Sequence, residues 1–267
     1  MVKKIIRGIF NKFNYDITKL GNGSEKYKIK SDTEGVSLYN TPTGKYYLPS
    51  NLKKDVVANH IKNGIYFEPE VIEIAKEFIR EGTAVLDVGA NYGQMSVFFS
   101  KLVGNSGAVY AFEAEPVIYS ILVKTFSANG CNNVKAISGA VYNKTGEKIV
   151  FPEPDFSRFD SYGSYGIDPN AKDGRKVTSL TIDSLQINEP ISFMKVDIQG
   201  SDLFALQGAK ETILKNKMPI LFEFEQQLQD EFQTSFNDYV NFAKEINYRF
   251  EKVVMGINYL IVPNEQK

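Results

Sequence analysis

The chain of 267 residues has one cysteine, Cys131, and one histidine, His60. A lone cysteine cannot close an intramolecular disulfide, and so sparing a use of the residue fits a reducing cytoplasm. Cys131 follows an Asn129-Gly130 turn with no histidine near it in sequence, which reads as an inert thiol rather than a nucleophile. No apolar run reaches the roughly 18–20 residues that a membrane span needs. No segment repeats and no tract is of low complexity. Charge of one sign is not in excess: 31 Lys and Arg against 32 Asp and Glu leave a formal net charge of -1. That balance gives no electrostatic reason to expect nucleic acid as a partner. What remains, 43% hydrophobic and 24% charged residues, is ordinary globular material with enough apolar content for a substantial core.

Near the start, Lys3, Lys4, Arg7 and Lys12 interleave with Ile5, Ile6, Ile9, Phe10 and Phe13. This is a short basic amphipathic pattern. It reads first as a helix docked on its own domain or on a partner subunit, and second as one lying peripherally on the inner membrane surface. The apolar residues never run together and no small-residue cleavage site follows, so it is not read as a secretory signal. Val36-Ser37-Leu38-Tyr39 and Lys45-Tyr46-Tyr47-Leu48 flank Pro42-Thr43-Gly44, a hairpin pattern. Residues 1–64 are therefore taken as an N-terminal accessory segment and 65–267 as the main domain.

From residue 65 onward, helix and strand patterns alternate. Pro69 opens a helix with Val71, Ile72, Ala75, Phe78 and Ile79 on one face, ended by Gly82. Strands follow at Ala84–Val88, Val109–Phe112, Val134–Ile137, Phe193–Val196 and Pro219–Phe224, with closing strands at Phe250–Val254 and Asn258–Val262. Ser201 is expected to cap one helix carrying Leu203, Leu206, Ile213 and Leu214, and Ser235-Phe236-Asn237-Asp238 has the form of a capping box. Residues 140–182 break the rhythm with two strands around a polar, aromatic loop. The alternation predicts an α/β fold, a doubly wound, mostly parallel seven-stranded, Rossmann-like sheet. Ligands of such sheets sit beyond the C-terminal strand ends, where strand order reverses.

The strongest motif is Val85-Leu86-Asp87-Val88-Gly89-Ala90-Asn91-Tyr92-Gly93, a buried strand running into a glycine turn and then a helix. Gly89 and Gly93 permit a tight turn and close approach, and the helix N-terminus is expected to offer free N–H groups. The spacing lacks the third glycine of a dinucleotide fingerprint. Asp87, two residues before Gly89, would repel a pyrophosphate but suits a ligand with cationic groups. Glu113 closes the next strand, 20 residues after Gly93, where an acidic side chain commonly pairs with ribose hydroxyls. An adenosine cofactor with an amino acid end, S-adenosyl-L-methionine, fits both signals. Ser138, Gly139 and Ala140 are expected to border the adenine.

Lys195 and Asp197 share a face at the end of the fourth core strand, and Glu223 and Glu225 share one at the end of the fifth. Carboxylates in such apolar surroundings are costly unless paired or functional. Methyl transfer to a hydroxyl needs an aligned oxygen and a base for its proton. Asp197 and Glu223 are the candidates, with Lys195 beside them and His60 as a further one. Lys195 and Asp197 read alternatively as an internal ion pair.

These stretches, together with Tyr66-Phe67-Glu68-Pro69-Glu70, Leu180-Thr181-Ile182-Asp183, Met194-Lys195-Val196-Asp197-Ile198-Gln199-Gly200 and Leu206-Gln207-Gly208-Ala209, resemble the FkbM-type methyltransferases over residues 68–223. The resemblance implies O-methylation, often of sugars in polysaccharides or natural products. It also implies cofactor contacts at Asp87, Gly89, Asn91 and Glu113, with Ala90, Gly93, Ala114 and Asp197 around them, and Glu68 beside the amino acid end. Two positions depart from the family pattern: Gln199 stands where Glu is usual, and Ala114 where Pro is usual. No cluster has clear metal-ligand spacing, although Asp183 and Asp197 could hold Mg²⁺. The segment 152–176, with Phe156, Phe159, Tyr162 and Tyr165, is expected to cover the site as a substrate lid.

Two other functions compete. A nicotinamide-dependent oxidoreductase would need the missing third glycine. A non-catalytic cofactor-binding scaffold is suggested by Gln199. A nucleic-acid base methyltransferase would end its fourth strand in an Asn- or Asp-Pro-Pro-aromatic run, not in Asp-Ile-Gln-Gly. The acceptor is therefore expected to be a glycan or small molecule rather than nucleic acid.

Overall fold

A computed structural model describes residues 27–31, 35–50, 54–153 and 161–264. The amphipathic pattern over residues 3–13, and Phe156 and Phe159 of the expected lid, lie outside these residues. Strands β1 (Lys28–Ser31), β2 (Val36–Thr41) and β3 (Gly44–Pro49) form a small antiparallel sheet, with the expected hairpin as β2 and β3. Helix α1 (Val56–Lys62) follows, capped by Asp55. Helix α2 (Pro69–Phe78) begins with proline at its first turn, and it ends at Phe78 because Ile79 is already extended.

The main sheet is built from β4 (Ala84–Val88), α3 (Gln94–Val103), β5 (Ala108–Glu113), α4 (Pro116–Asn129) and β6 (Val134–Ser138). The chain then leaves the sheet for a small three-stranded unit of β7 (Ala140–Val141), β8 (Lys148–Phe151) and β9 (Arg175–Leu180). It returns through β10 (Ile191–Val196), α5 (Asp202–Gln207), α6 (Lys210–Asn216), β11 (Ile220–Glu223), α7 (Gln226–Phe232), α8 (Phe236–Glu245), β12 (Tyr248–Val254) and β13 (Asn258–Pro263). The strand order is β12-β13-β11-β10-β4-β5-β6, parallel except for β13, which runs against both neighbours. The doubly wound, mostly parallel seven-stranded sheet expected from the alternation is present.

Every residue of β4 is buried, because helices cover both faces of a central parallel strand. On one face Leu86, Met194 and Phe222 pack against α5, α6 and α8 through Leu206, Ile213 and Phe242. On the other, Val85, Phe193 and Leu221 pack against α2 and α3 through Val71, Ala75 and Phe99. The small N-terminal sheet lays Tyr46 and Leu48 on Ile121, Leu122 and Phe126 of α4. Asn129 fixes it there by accepting from Lys45 N–H at 2.9 Å.

The single helix expected after Ser201 is two helices, α5 and α6. A Cβ on Gly208 would collide with the Tyr142 carbonyl oxygen, just after β7, so the chain bends at Gly208-Ala209 to lie against that residue. The bend turns Leu214, expected on the inner face, to solvent at 44% exposure. Helices α1 and α7 were not foreseen; each is seven residues long, too short for a periodic apolar pattern to emerge. The capping box at Ser235 and Asp238 is formed.

Candidate active site

Strand order reverses between β4 and β10, and their C-terminal ends carry the unusual residues. Asp87 and Lys195 are register partners there, and Glu223 on β11 pairs with Asn258 on β13. The face that is apolar at Val85, Phe193 and Leu221 thus turns polar at its end.

On the nucleoside side, Gly89 has φ 88°, and a Cβ there would collide with the Asp197 carbonyl oxygen, so the loops after β4 and β10 meet at this glycine. The N–H groups of Gly89 and Ala90 both donate to the Phe112 carbonyl at 3.0 and 2.9 Å, and Gly93 N–H donates to Ala90 at 2.8 Å. Asn91 N–H donates to Glu113 Oε2 and Glu115 N–H to Glu113 Oε1, each at 2.9 Å. The Gly89, Ala90 and Asn91 amides are therefore engaged by β5, whose last carbonyl and carboxylate reach the turn directly, while Gly93 at the N-terminus of α3 has no side-chain cap. Each Glu113 oxygen accepts one of these bonds and keeps a second lone pair, enough for a ribose diol. Burial pushes the Glu113 carboxyl up to about 7, against the pull of those N–H groups. Gly93 serves packing rather than ligand approach, because its Cα face lies on Leu122 and Phe126 of α4. Ser138 is exposed and Gly139 is buried, while Ala140 joins Phe151, Ile167, Val177 and the partly buried Ala114 and Tyr165 in one apolar cluster.

The reaction side holds more negative charge than the protein neutralises. Lys195 Nζ lies 3.0 Å from Asp197 Oδ2, and Asp87 and Glu68 also face it. Burial works against its ammonium, but these three carboxylates hold it charged, above the ordinary lysine range. Asp87 is fully buried, with Oδ2 accepting from Ser96 Oγ at 2.5 Å and Oδ1 unpartnered. Glu68 caps α2 in a left-handed conformation (φ 52°, ψ 64°) directly before Pro69, a strained placement. Asn258 Nδ2 donates to Glu68 Oε1 at 3.1 Å. Burial, and then Asp197, raise Glu68 to about 7. Gln199 Nε2 bridges Asp197 Oδ1 at 3.3 Å and Glu223 Oε2 at 3.2 Å. Burial and the neighbouring Asp197 drive Glu223 well above the carboxylate range, while Asp197 stays ionised because Lys195 faces it. The pair therefore holds one proton, on Glu223, and one charge, on Asp197. The Asp197 side chain remains 23% exposed, open to an acceptor.

The other expectations fall elsewhere. His60 bonds the Val56 carbonyl through Nδ1 at 2.8 Å and sets its ring edge against Phe67, one residue from Glu68; burial keeps it neutral. Asp183 accepts from Glu211 and Thr212 N–H at 3.0 and 2.8 Å, so it caps α6 and is not placed to share a cation with Asp197. Among the described residues no group of three His, Cys, Asp or Glu side chains is arranged to hold a metal ion. No described helix is long and apolar enough to cross a membrane. Asn258, Asp55 and Gln94, which ties Ile65 and Phe67 to α3, were not foreseen; nothing in sequence relates Asn258 to Glu68, 190 residues away.

The donor set fits S-adenosylmethionine. Unpartnered buried oxygens on Asp87 and Asn91, and the excess of carboxylate at the strand ends, match a ligand carrying an ammonium and a sulfonium. Glu113 and the Asn91 turn would hold its ribose; Glu68, Asp87 and Asp197 would face its charged end.

Curated relatives are methyltransferases of several kinds. The chain is 29% identical over 131 residues to the fibrillarin-like rRNA/tRNA 2'-O-methyltransferase of Pyrobaculum islandicum, covering 48% of this chain and 52% of that one. It is 33% identical over 102 residues to the protein-L-isoaspartate O-methyltransferase of Thermosipho melanesiensis, covering 36% and 51%. The chain thus spans about half the length of the curated relatives it matches. Among solved structures, the methyltransferase FkbM of Methylobacillus flagellatus aligns with a TM-score of 0.46 at 17% identity, over 78% of this chain and 54% of that one. The methyltransferase FkbM domain matches residues 87–250, more than half of the chain. The protein belongs to the FkbM methyltransferase family, whose methyl donor is S-adenosylmethionine.

Proposed function

We propose that this protein is an O-methyltransferase acting on a hydroxyl of a sugar, in a glycan, a polysaccharide or a small natural product. The observation that carries the reading is the Asp197–Gln199–Glu223 arrangement beyond the Gly89 turn: one ionised and one protonated carboxyl, bridged by an amide, at the open end of the sheet. When bound, S-adenosylmethionine supplies an electrophilic methyl group. Asp197, ionised and partly exposed, accepts a hydrogen bond from the acceptor hydroxyl and takes its proton as the oxygen attacks. Lys195 holds the Asp197 carboxylate in place, and Gln199 keeps Glu223 beside it. His60 is less suited to this role because its ring packs on Phe67. Gln199 in place of a glutamate leaves the pair one negative charge poorer without removing the base.

The two relatives described above are named as O-methyltransferases, of an rRNA/tRNA 2'-O position and of protein L-isoaspartate, which supports oxygen chemistry here, although another relative is named as a C(15)-methyltransferase. A polyanionic acceptor is disfavoured by the near-neutral chain and the carboxylate surplus at its site. The test is mass spectrometry after incubation with deuteriomethyl-labelled cofactor and a panel of neutral glycans, amino sugars, uronic acids and an RNA oligomer. Label on a sugar hydroxyl is the expected result. Cofactor binding with no label on any acceptor would instead favour the non-catalytic scaffold.

A further inference from the structure

Nothing in the sequence singles out Asp55, yet it is completely buried and three separate segments converge on it. Its Oδ1 caps α1 by accepting from Ala58 N–H at 2.8 Å. Its Oδ2 accepts from Tyr92 Oη at 2.9 Å and from Tyr162 N–H at 3.1 Å. Tyr92 belongs to the turn after β4, directly after Asn91. Tyr162 opens a short 3-10 turn, Tyr162–Ser164, in the segment expected to cover the site. That segment crosses both halves of the site. A Cβ on Gly163 would lie 2.9 Å from Asn91 Nδ2, and one on Gly166 would lie 3.0 Å from Gln199 Cβ. Residues 161–166 therefore form a strap running from the nucleoside turn to the acceptor end, and its fastening runs through one carboxylate.

We propose that Asp55 is a positioning residue that fastens this strap over the cofactor, joining the accessory segment, the turn after β4 and the strap at a single buried group. The proposal rests on the reading of Asn91 and Gln199 as parts of the cofactor and acceptor sites. Two glycines meet the site-lining residues, so the strap lies closer to them than any side chain would allow. Burial pushes the Asp55 carboxyl above its ordinary range against the pull of these donors, and a buried donor or acceptor that loses its partner bears the full cost of desolvation. Cofactor entry and release require the strap to lift, and the Asp55–Tyr162 bond resists that step.

Asp55→Asn separates fastening from helix capping. Its amide oxygen still accepts from Ala58, while its NH₂ faces the Tyr162 N–H, donor against donor. The experiment measures dissociation of S-adenosylhomocysteine by stopped flow, KM and kcat, and hydrogen exchange of a peptide covering 161–166. The expected result is dissociation about tenfold faster, with KM for the cofactor raised to match. Exchange over 161–166 should be faster and kcat at saturation close to the wild type. Should Asp55→Asn fail to fold, Tyr92→Phe, which removes one donor from the cluster, and Gly163→Ala, which pushes on Asn91, carry the test and should also release ligand faster. Wild-type dissociation rates in the folded variants would overturn the proposal, as would exchange that does not change. Absence of cofactor binding by the wild-type protein would instead overturn the reading on which it rests.

Discussion

The two halves of the site are built in opposite ways. On the nucleoside side the backbone of the turn is held from within the protein: the Gly89 and Ala90 amides bond to Phe112, and both Glu113 oxygens accept backbone N–H groups, with the Asn91 side-chain oxygen left unpartnered. On the reaction side Glu68, Asp87 and Asp197 face a single lysine, Glu223 stands beside Asp197, and burial pushes Glu68, Asp87 and Glu223 above the ordinary carboxylate range. The first half is preorganised for a neutral sugar. The second is short of positive charge until a cationic ligand arrives. Binding specificity and chemistry are thereby assigned to different strand ends, and variants in each half should fail differently.

The sharpest separation comes from Asp197→Asn, which keeps shape and removes the base. Turnover at saturating cofactor should fall by about 10²–10⁴-fold, while S-adenosylhomocysteine affinity in calorimetry falls far less, because Glu68 and Asp87 still face the ligand's charged end. Equal losses in both quantities would erase the distinction between the halves. Lys195→Met attacks the same half through stability. It leaves a buried cluster of carboxylates uncompensated, which should cost about 3–5 kcal/mol, a fall in melting temperature of roughly 6–15 °C for a chain of this size. Adding Asp87→Asn should return part of that loss, since the two are register partners. Full additivity would mean that they do not interact. On the other half, Glu113→Gln should weaken cofactor binding by about 1.5–3 kcal/mol through loss of charge-assisted hydrogen bonds, with turnover at saturation retained. A drop in turnover without weaker binding would reverse the assignment.

The same contrast governs what could be read from sequence. The nucleoside side is local. Gly89 and Glu113 are ends of consecutive strands, and their spacing is a property of one βαβ unit, so residue order alone placed them. The reaction side is assembled from α2, β4, β10, β11 and β13. Asp197, Lys195 and Glu223 were visible as charges in apolar strands, but Asn258 is an ordinary residue in sequence and acquires its role only through the β11–β13 register. The anchoring of the Gly89, Ala90 and Asn91 amides was invisible for a similar reason: only the parallel neighbour β5 brings its last carbonyl and carboxylate to the turn. Gly208 carries a bend rather than a helix interior because Tyr142, just after β7 and 66 residues earlier, leaves no room for a Cβ.

The smallest effect is the most diagnostic, because it separates the two halves within one unmodified protein. Burial raises Glu68 and Glu113 to about 7, and burial together with the neighbouring Asp197 drives Glu223 well above the carboxylate range. Between the ordinary carboxylate range and pH 7 the folded protein holds protons that the unfolded chain has lost, so the ligand-free protein loses stability as pH rises through that window. A bound ligand that favours ionised Glu113 or Glu68 displaces those protons, and its affinity rises with pH until about 7. Ribose hydroxyls act on Glu113 identically in S-adenosylmethionine and S-adenosylhomocysteine, so that part of the slope is shared. The sulfonium charge is present only in the former and acts on Glu68 and Glu223. From pH 6 to pH 8 the affinity for S-adenosylmethionine should therefore gain about tenfold more than that for S-adenosylhomocysteine, the release of one additional proton. Parallel pH slopes in calorimetry would show that the carboxylates of the reaction side do not sense the charge that methyl transfer removes.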